Sequence, residues 1–216
     1  NYIPKMLNWF FYYIKNCNKK SMLNTAKNMH QILSLSNDAY EEIFQEIDTN
    51  GLVEKKGIIY VWTNKNLKSR KLEIKVRNDL GIEQKLLSQQ EVLELEPNLN
   101  PVFDAGVIYE SAMHARDPHG ILKKIFKLFL ERGGKFIQAN VKGLEQISFN
   151  ETVIKTECDT YTFEKTVIAS GAFSKKLTDP LGENIPLDTE RGYHVHFKNK
   201  DNLIKRPVIF LDRGFG

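Results

Sequence analysis

A four-residue apolar run, Thr166-Val167-Ile168-Ala169, leads directly into Ser170-Gly171-Ala172 and a short helical stretch over 173–177. An apolar run with no polar alternation predicts a strand buried on both faces, as in a sheet covered by helices. Other strands and helices alternate around it, with β-meanders between. The predicted class is therefore α/β, mixed with α+β, with interleaved domains. A strand ending in glycine at a helix start also suits a phosphate. Glycine lets the backbone come close, and the first N–H groups of a helix face an anion. A plain structural turn explains the same residues. The chain contains neither G-x-G-x-x-G nor G-x-x-x-x-G-K-[ST], so these residues alone do not assemble a complete nucleotide site.

Along the chain, residues 21–35 and 38–49 read as helices. Asp38 and Glu41 have capping-box spacing, and Gly51 is the expected stop. Residues 57–62 form a strand rich in β-branched and aromatic side chains. A charged helix over 66–79 closes at Gly81. Ser88-Gln89-Gln90-Glu91 is a second capping box, and Pro97 halts its helix. A strand over 106–110 precedes Asp117-Pro118, an N-cap with proline at the first helical position. Ile121, Leu122, Ile125, Phe126, Phe129 and Leu130 then recur at helical spacing, predicting a core-facing stripe that Gly133-Gly134 ends. Further strands are expected over 135–139, 141–149, 152–156, 161–163, 193–197 and 207–211.

Charge and composition narrow the function classes. Hydrophobic residues are 41% and charged residues 27%, which excludes wholesale disorder, collagen and coiled coil. Thirty-one basic against 27 acidic residues leave +4. After residue 37 the lysines are interleaved with acids, so no nucleic acid partner is expected. Cys17 and Cys158 form no disulfide framework and share no metal spacing, which points to a reducing compartment. The first 35 residues carry five lysines and no acid, with Trp9, Phe10, Phe11, Tyr12 and Tyr13 among them. Such a segment suits a membrane interface. A helix packed on the rest of the protein, with its lysines solvated, is the favoured reading of the same residues. No apolar run approaches the roughly 20 residues of a membrane span. The chain begins at Asn1 and closes on Leu211-Asp212-Arg213-Gly214-Phe215-Gly216, so it is expected to be an internal piece of a longer protein.

Several polar residues could carry chemistry. His114 and His119 flank Arg116-Asp117-Pro118. His194 and His196 alternate along an expected strand and share a face, with Tyr193, Val195 and Phe197 on the core side. Neither pair has a third ligand at metal spacing, so no metal is expected. His119 reads as surface or packing and Asp117 as a cap. Arg191-Gly192-Tyr193-His194 is a denser cluster. Arginine can hold a carboxylate bidentately, and tyrosine or histidine can orient a substrate or move a proton. A β-turn at Gly192 with an exposed Arg191 accounts for the same residues. Without G-x-S-x-G, nothing supports hydrolysis.

The order of these motifs is informative. Val141…Leu144, Thr166 through Ser174, Leu181-Gly182-Glu183-Asn184-Ile185-Pro186-Leu187 and Glu190-Arg191-Gly192-Tyr193-His194 together resemble the FAD-dependent D-amino-acid oxidase superfamily. Ile3-Pro4-Lys5-Met6-Leu7-Asn8-Trp9 and Leu95-Glu96-Pro97-Asn98-Leu99 resemble its D-amino-acid dehydrogenase (small subunit) branch. The resemblance implies a Rossmann-like FAD-binding segment interleaved with a substrate domain on a mixed or antiparallel sheet. Residues 1–115 would be mostly substrate domain, 116–178 FAD domain, and 179–216 a return to the substrate sheet. It implies Val141 at the adenine, Ala169, Ser170 and Gly171 along the phosphates and ribose, and Phe173 where the family usually has tryptophan. The implied cofactor is FAD and the implied activity is oxidation of an amino-acid C–N bond, as part of amino-acid catabolism. Arg191, Tyr193 and His194 are the candidates on the substrate or flavin side. A glycine- or sarcosine-type oxidase, or a non-catalytic protein of the same fold, are the alternatives. The dinucleotide fingerprint and C-terminal flavin-side segment of the family are absent, so the chain alone is expected to be inactive. A membrane quinone is the implied electron acceptor. The implied location is cytoplasmic, with peripheral contact on the inner face of the membrane through residues 5–20.

Overall fold

The computed structural model describes residues 3–64, 67–187, 189, 191–195, 198 and 203–215. The chain divides into two compact units, Asn1–Gly133 with Asn199–Gly216, and Gly134–Lys198.

The first unit opens with helices α1 (Ile3–Asn16), α2 (Lys19–Leu33) and α3 (Ser36–Phe44). Asn18 caps α2 by accepting from Ser21 N at 2.9 Å. Then come β1 (Val53–Glu54), β2 (Ile58–Trp62), α4 (Leu67–Asp79), β3 (Lys85–Ser88), α5 (Gln89–Leu95), β4 (Ala105–Tyr109), β5 (His114–Ala115) and α6 (Pro118–Glu131). The second unit holds β6 (Val141–Ser148), β7 (Glu151–Thr156), β8 (Thr160–Phe163) and α7 (Ser174–Thr178), and β9 (Val208–Phe210) returns to the first.

The main sheet has the order β3-β4-β2-β9, antiparallel except for the parallel pair β2–β9. β2, β4 and β9 form where the sequence predicts them, because runs such as Ile58-Ile59-Tyr60-Val61-Trp62 suit a pleated, covered surface, whereas β3 falls outside those predictions. Gly57 sets the entry to β2. Its φ of +74° favours glycine, and a Cβ there would stand 2.7 Å from Tyr109 O. One face of the sheet carries Ile59, Val61, Leu87, Ile108 and Phe210, packed with Val92 of α5 and with Phe103. Burying each of these side chains contributes about 2 kcal/mol. α5 reaches this core through a complete capping box. Ser88 N donates to Glu91 Oε2 at 2.8 Å, and Glu91 N donates to Ser88 Oγ at 3.3 Å. The opposite face presents Tyr60, Trp62, Val107 and Tyr109 toward Arg70, Ile74 and Arg77 of α4.

Several expectations are corrected. α1 is not packed on the rest of the chain, since every described side chain from Leu7 to Ile14 is more than half exposed. α3 starts earlier than expected and ends at Phe44. Leu35 rather than Asp38 is its N-cap, Glu41 pairs with Lys55, and Gly51 lies in the turn before β1. In α6, Asp117 caps as expected by accepting from Gly120 N at 2.9 Å, yet only Ile121 of the apolar stripe is buried and Leu122 is 62% exposed. Residues 135–139 are irregular, with Phe136 and Ile137 exposed. Residues 166–169 are irregular too, and Val167 is 89% exposed. Both runs belong to none of the three sheets among the described residues. An extended segment without a neighbouring strand leaves its N–H and C=O groups to water and has no covered face.

Candidate cofactor and substrate site

In the second unit, β6, β7 and β8 form an antiparallel meander with register shifts between Val141 and Gly143 and between Gln146 and Ser148. Val141 opens β6 opposite Thr156, with its side chain exposed. α7 and the 3₁₀ turn Asp179–Leu181 pack against β6, and Thr178 is buried there. The segment feeding α7 contains Ala169, Ser170, Gly171 and Phe173. Gly171–Phe173 is a 3₁₀ turn, closed by Phe173 N donating to Ser170 O at 3.1 Å. Gly171 has φ +54°, and a Cβ built on it meets nothing within 4 Å. Ala169 and Ser170 are exposed beside it. Phe173 is exposed, with Lys176 Nζ 5.3 Å from its ring centroid. An exposed main-chain turn with open space at its glycine admits a bulky anionic group laid along the backbone. The turn thus leaves room for a group such as the one the resemblance implies, and it shares that openness with Gly51, Gly81 and Gly133.

Arg191, Tyr193 and His194 lie on exposed irregular chain, not on a strand. Tyr193 is 87% exposed and Val195 is exposed as well, which reverses the expected core face; His196 and Phe197 lie outside the described residues. The alternation of faces along a strand has meaning only once a partner covers one of them.

The first unit contains polar groups that the sequence reading passed over. Arg70 donates from Nη1 to both carboxylate oxygens of Glu73, at 2.8 and 2.9 Å. Its Nη2 lies 3.4 Å from Asp212 Oδ1, and Asp212 Oδ2 accepts from Thr63 N and Oγ1 at 2.6 and 2.9 Å. Arg77 stands 5.6 Å from the Tyr109 ring, and Tyr109 donates its hydroxyl to Gln84 at 3.2 Å. Burial pushes the Tyr109 phenol above its ordinary range. Arg70, Glu73 and Arg77 recur at i, i+3 and i+7 on α4, a signal that was readable as one face of the helix. These charges pair with one another and tie α4 to the loop after β2 and to residue 212, while Arg70 Nε is buried without a hydrogen-bond partner.

A second group sits on the β1–β5 ladder. Arg116 Nη1 donates to Glu54 Oε1 at 2.7 Å, Lys56 is 2.9 Å from Oε2, and His114 Nε2 is 3.8 Å from the same oxygen. Hydrogen bonds from Lys56 and then Arg116 hold the Glu54 carboxyl below its usual range. His114 Nδ1 is buried without a hydrogen-bond partner, and His114 lines a cleft of about 420 Å³ with Tyr40, Phe44, Met113 and Ile121. A third feature, the buried Glu96 carboxylate, accepts from Lys205 N at 2.8 Å and Arg206 Nε at 2.9 Å.

The profile of the DAO family, described as FAD dependent oxidoreductase, matches residues 7–216. A D-amino-acid oxidase of Bradyrhizobium diazoefficiens is 28% identical over 213 residues, covering 98% of this chain and 51% of that protein. A D-amino acid dehydrogenase of Neisseria meningitidis is 22% identical, covering 88% of this chain and 46% of that protein. The chain thus spans about half the length of the curated relatives it matches. Among solved structures, glycine oxidase from Geobacillus kaustophilus aligns with a TM-score of 0.58 at 20% identity, over 77% of this chain and 44% of that one, a likeness of fold.

Proposed function

Because this chain belongs to the FAD dependent oxidoreductase (DAO) family, we propose that the whole protein oxidises the carbon–nitrogen bond of an amino acid, in the manner of a D-amino-acid dehydrogenase. The observation that carries this reading is the family match across 7–216, together with relatives named for D-amino-acid oxidation and dehydrogenation. Within the chain, the open turn at Gly171 is compatible with it. Bound FAD supplies the two-electron acceptor for the hydride leaving the substrate Cα. The resulting imino acid takes up water and yields a keto acid and ammonia.

In this reading the main chain of Ala169, Ser170 and Gly171 runs along the cofactor phosphates and ribose, with Phe173 beside it and the backbone of Val141 at the adenine. Arg191 neutralises the substrate carboxylate, while Tyr193 or His194 donates a hydrogen bond that orients the substrate. Residues 116–178 then belong functionally with the cofactor, and residues 1–115 and 179–216 with the substrate. The electron acceptor is a membrane quinone. The enzyme is cytoplasmic and meets the inner face of the membrane through residues 5–20. No helix among the described residues is long and apolar enough to cross a membrane.

The test is the full-length protein. Flavin absorbance after purification and ammonia release from D-amino acids support the reading, whereas colourless protein inert toward them favours a non-catalytic member of the fold. Arg191→Ala is expected to raise the substrate KM about a hundredfold with flavin retained, the loss of one charged hydrogen-bonding partner. An unchanged KM removes Arg191 from the site. Oxygen is the second reading for the acceptor, favoured by the relative named as an oxidase. Peroxide formed in step with turnover of D-amino acids decides for oxygen. Peroxide formed only with glycine or sarcosine decides for a glycine-type oxidase.

A further inference from the structure

We infer that a single ordered water belongs to the fold between β2 and α4, where it accepts hydrogen bonds from Trp62 Nε1 and Arg70 Nε. The inference goes beyond the proposed activity and does not rest on it. Trp62 is 3% exposed, and its indole Nε1 is buried with no hydrogen-bond partner among the described residues. Arg70 Nε is buried and unpartnered in the same way, although the two terminal nitrogens of that guanidinium are engaged by Glu73 and Asp212. Both side chains line one narrow cavity, which Tyr60, Val107 and Leu211 bound from the sheet side. The cavity lies wholly within the first compact unit, and both nitrogens are already sealed from solvent. A sealed donor without an acceptor carries its full desolvation penalty, so two of them facing one space call for an acceptor inside it.

Size and charge select the occupant. The cavity has a volume of about 10 Å³, which is about the room that one water needs. A halide would also accept from both nitrogens. Arg70 and Arg77, however, already face the carboxylates of Glu73 and Asp212, and an added anion would stand there as a buried charge without a counter-ion. Water is neutral and donates as well as accepts. Glu73 and the tyrosines Tyr60 and Tyr109 line the same cavity and offer oxygens to its protons. The set of partners is that of a structural water, which joins the indole of the sheet to the guanidinium of the helix.

The experiment is a high-resolution crystal structure of the full-length protein, with bromide-soaked crystals and the variants Trp62→Phe and Arg70→Lys beside it. A density peak within about 3.2 Å of both Trp62 Nε1 and Arg70 Nε is expected, with no anomalous signal from bromide. Trp62→Phe keeps an aromatic ring in place and removes the donor. Arg70→Lys keeps the charge toward Glu73 and removes Nε. Each is expected to lose the peak. In solution, oxygen-17 relaxation dispersion is expected to show a smaller population of long-lived waters in Trp62→Phe than in the wild type. Absence of the peak in the wild type overturns the inference, and so does an anomalous peak, which makes the site one for a halide. An indole that pairs with a protein acceptor overturns it as well, as does a peak or a dispersion that the variants leave unchanged.

Discussion

Ile58–Trp62 and residues 166–169 are both short apolar runs with β-branched residues, and both predict covered strands. In the first, Ile59 is fully buried, between β4 on one side and β9 on the other, with α5 beneath. In the second, Val167 stands almost wholly in solvent and the backbone joins no sheet among the described residues. Both runs hold adjacent β-branched residues, so propensity alone does not explain so large a difference. What separates the two runs is the presence of neighbouring strands to take up the backbone hydrogen bonds and of a helix to cover one face.

Urea unfolding of this chain can break or sharpen that contrast. Ile59→Ala should cost the most, about 3–4 kcal/mol, because it opens a cavity between β2 and α5. Arg206→Met should cost about 2–3 kcal/mol by leaving the buried Glu96 carboxylate with one backbone donor where it had two partners. Ser88→Ala, which removes the cap of α5, should cost about 1 kcal/mol. Val167→Ala should change stability by less than about 0.5 kcal/mol. A Val167→Ala loss equal to that of Ile59→Ala would dissolve the comparison.

The capping box adds a pH signature. Ser88's backbone N–H and then its hydroxyl donate to Glu91 and hold its carboxyl below the ordinary value. The carboxyl is therefore more acidic folded than unfolded. Its contribution is complete above the ordinary carboxylate range and disappears as the pH falls through the folded value. Glu91→Gln should flatten that part of the stability–pH curve, and an unchanged curve would show that the box adds nothing there.

Much of the first unit was legible in the residues. The strands β2, β4 and β9, the charged helix before Gly81 and the start of α6 at Asp117-Pro118 all lie within a residue or two of their expected places. The turn proposed to run along the cofactor was legible as a glycine before a helix, and Gly171 does adopt the left-handed conformation that only glycine takes up easily. Less could be read of the segment proposed to meet the substrate. Arg191-Gly192-Tyr193-His194 looks like the approach to a strand, but the exposed Tyr193 and Val195 show no covered face. Nor could the sequence show that Arg70, Glu73 and Asp212 meet, because residue 212 lies far along the chain from α4.

The sequence alone determined where several elements begin and end, because those signals act within about four residues: Ser88 with Glu91, Asp117 with Gly120, and the positive-φ glycines Gly57 and Gly81. It also carried the family pattern from residue 7 to residue 216. Only the tertiary structure decided which apolar runs are covered and that Glu96 is neutralised by Arg206. Burial is a property of partners distant in sequence, so a stripe or a run marks a surface that can be covered and the fold decides whether anything covers it.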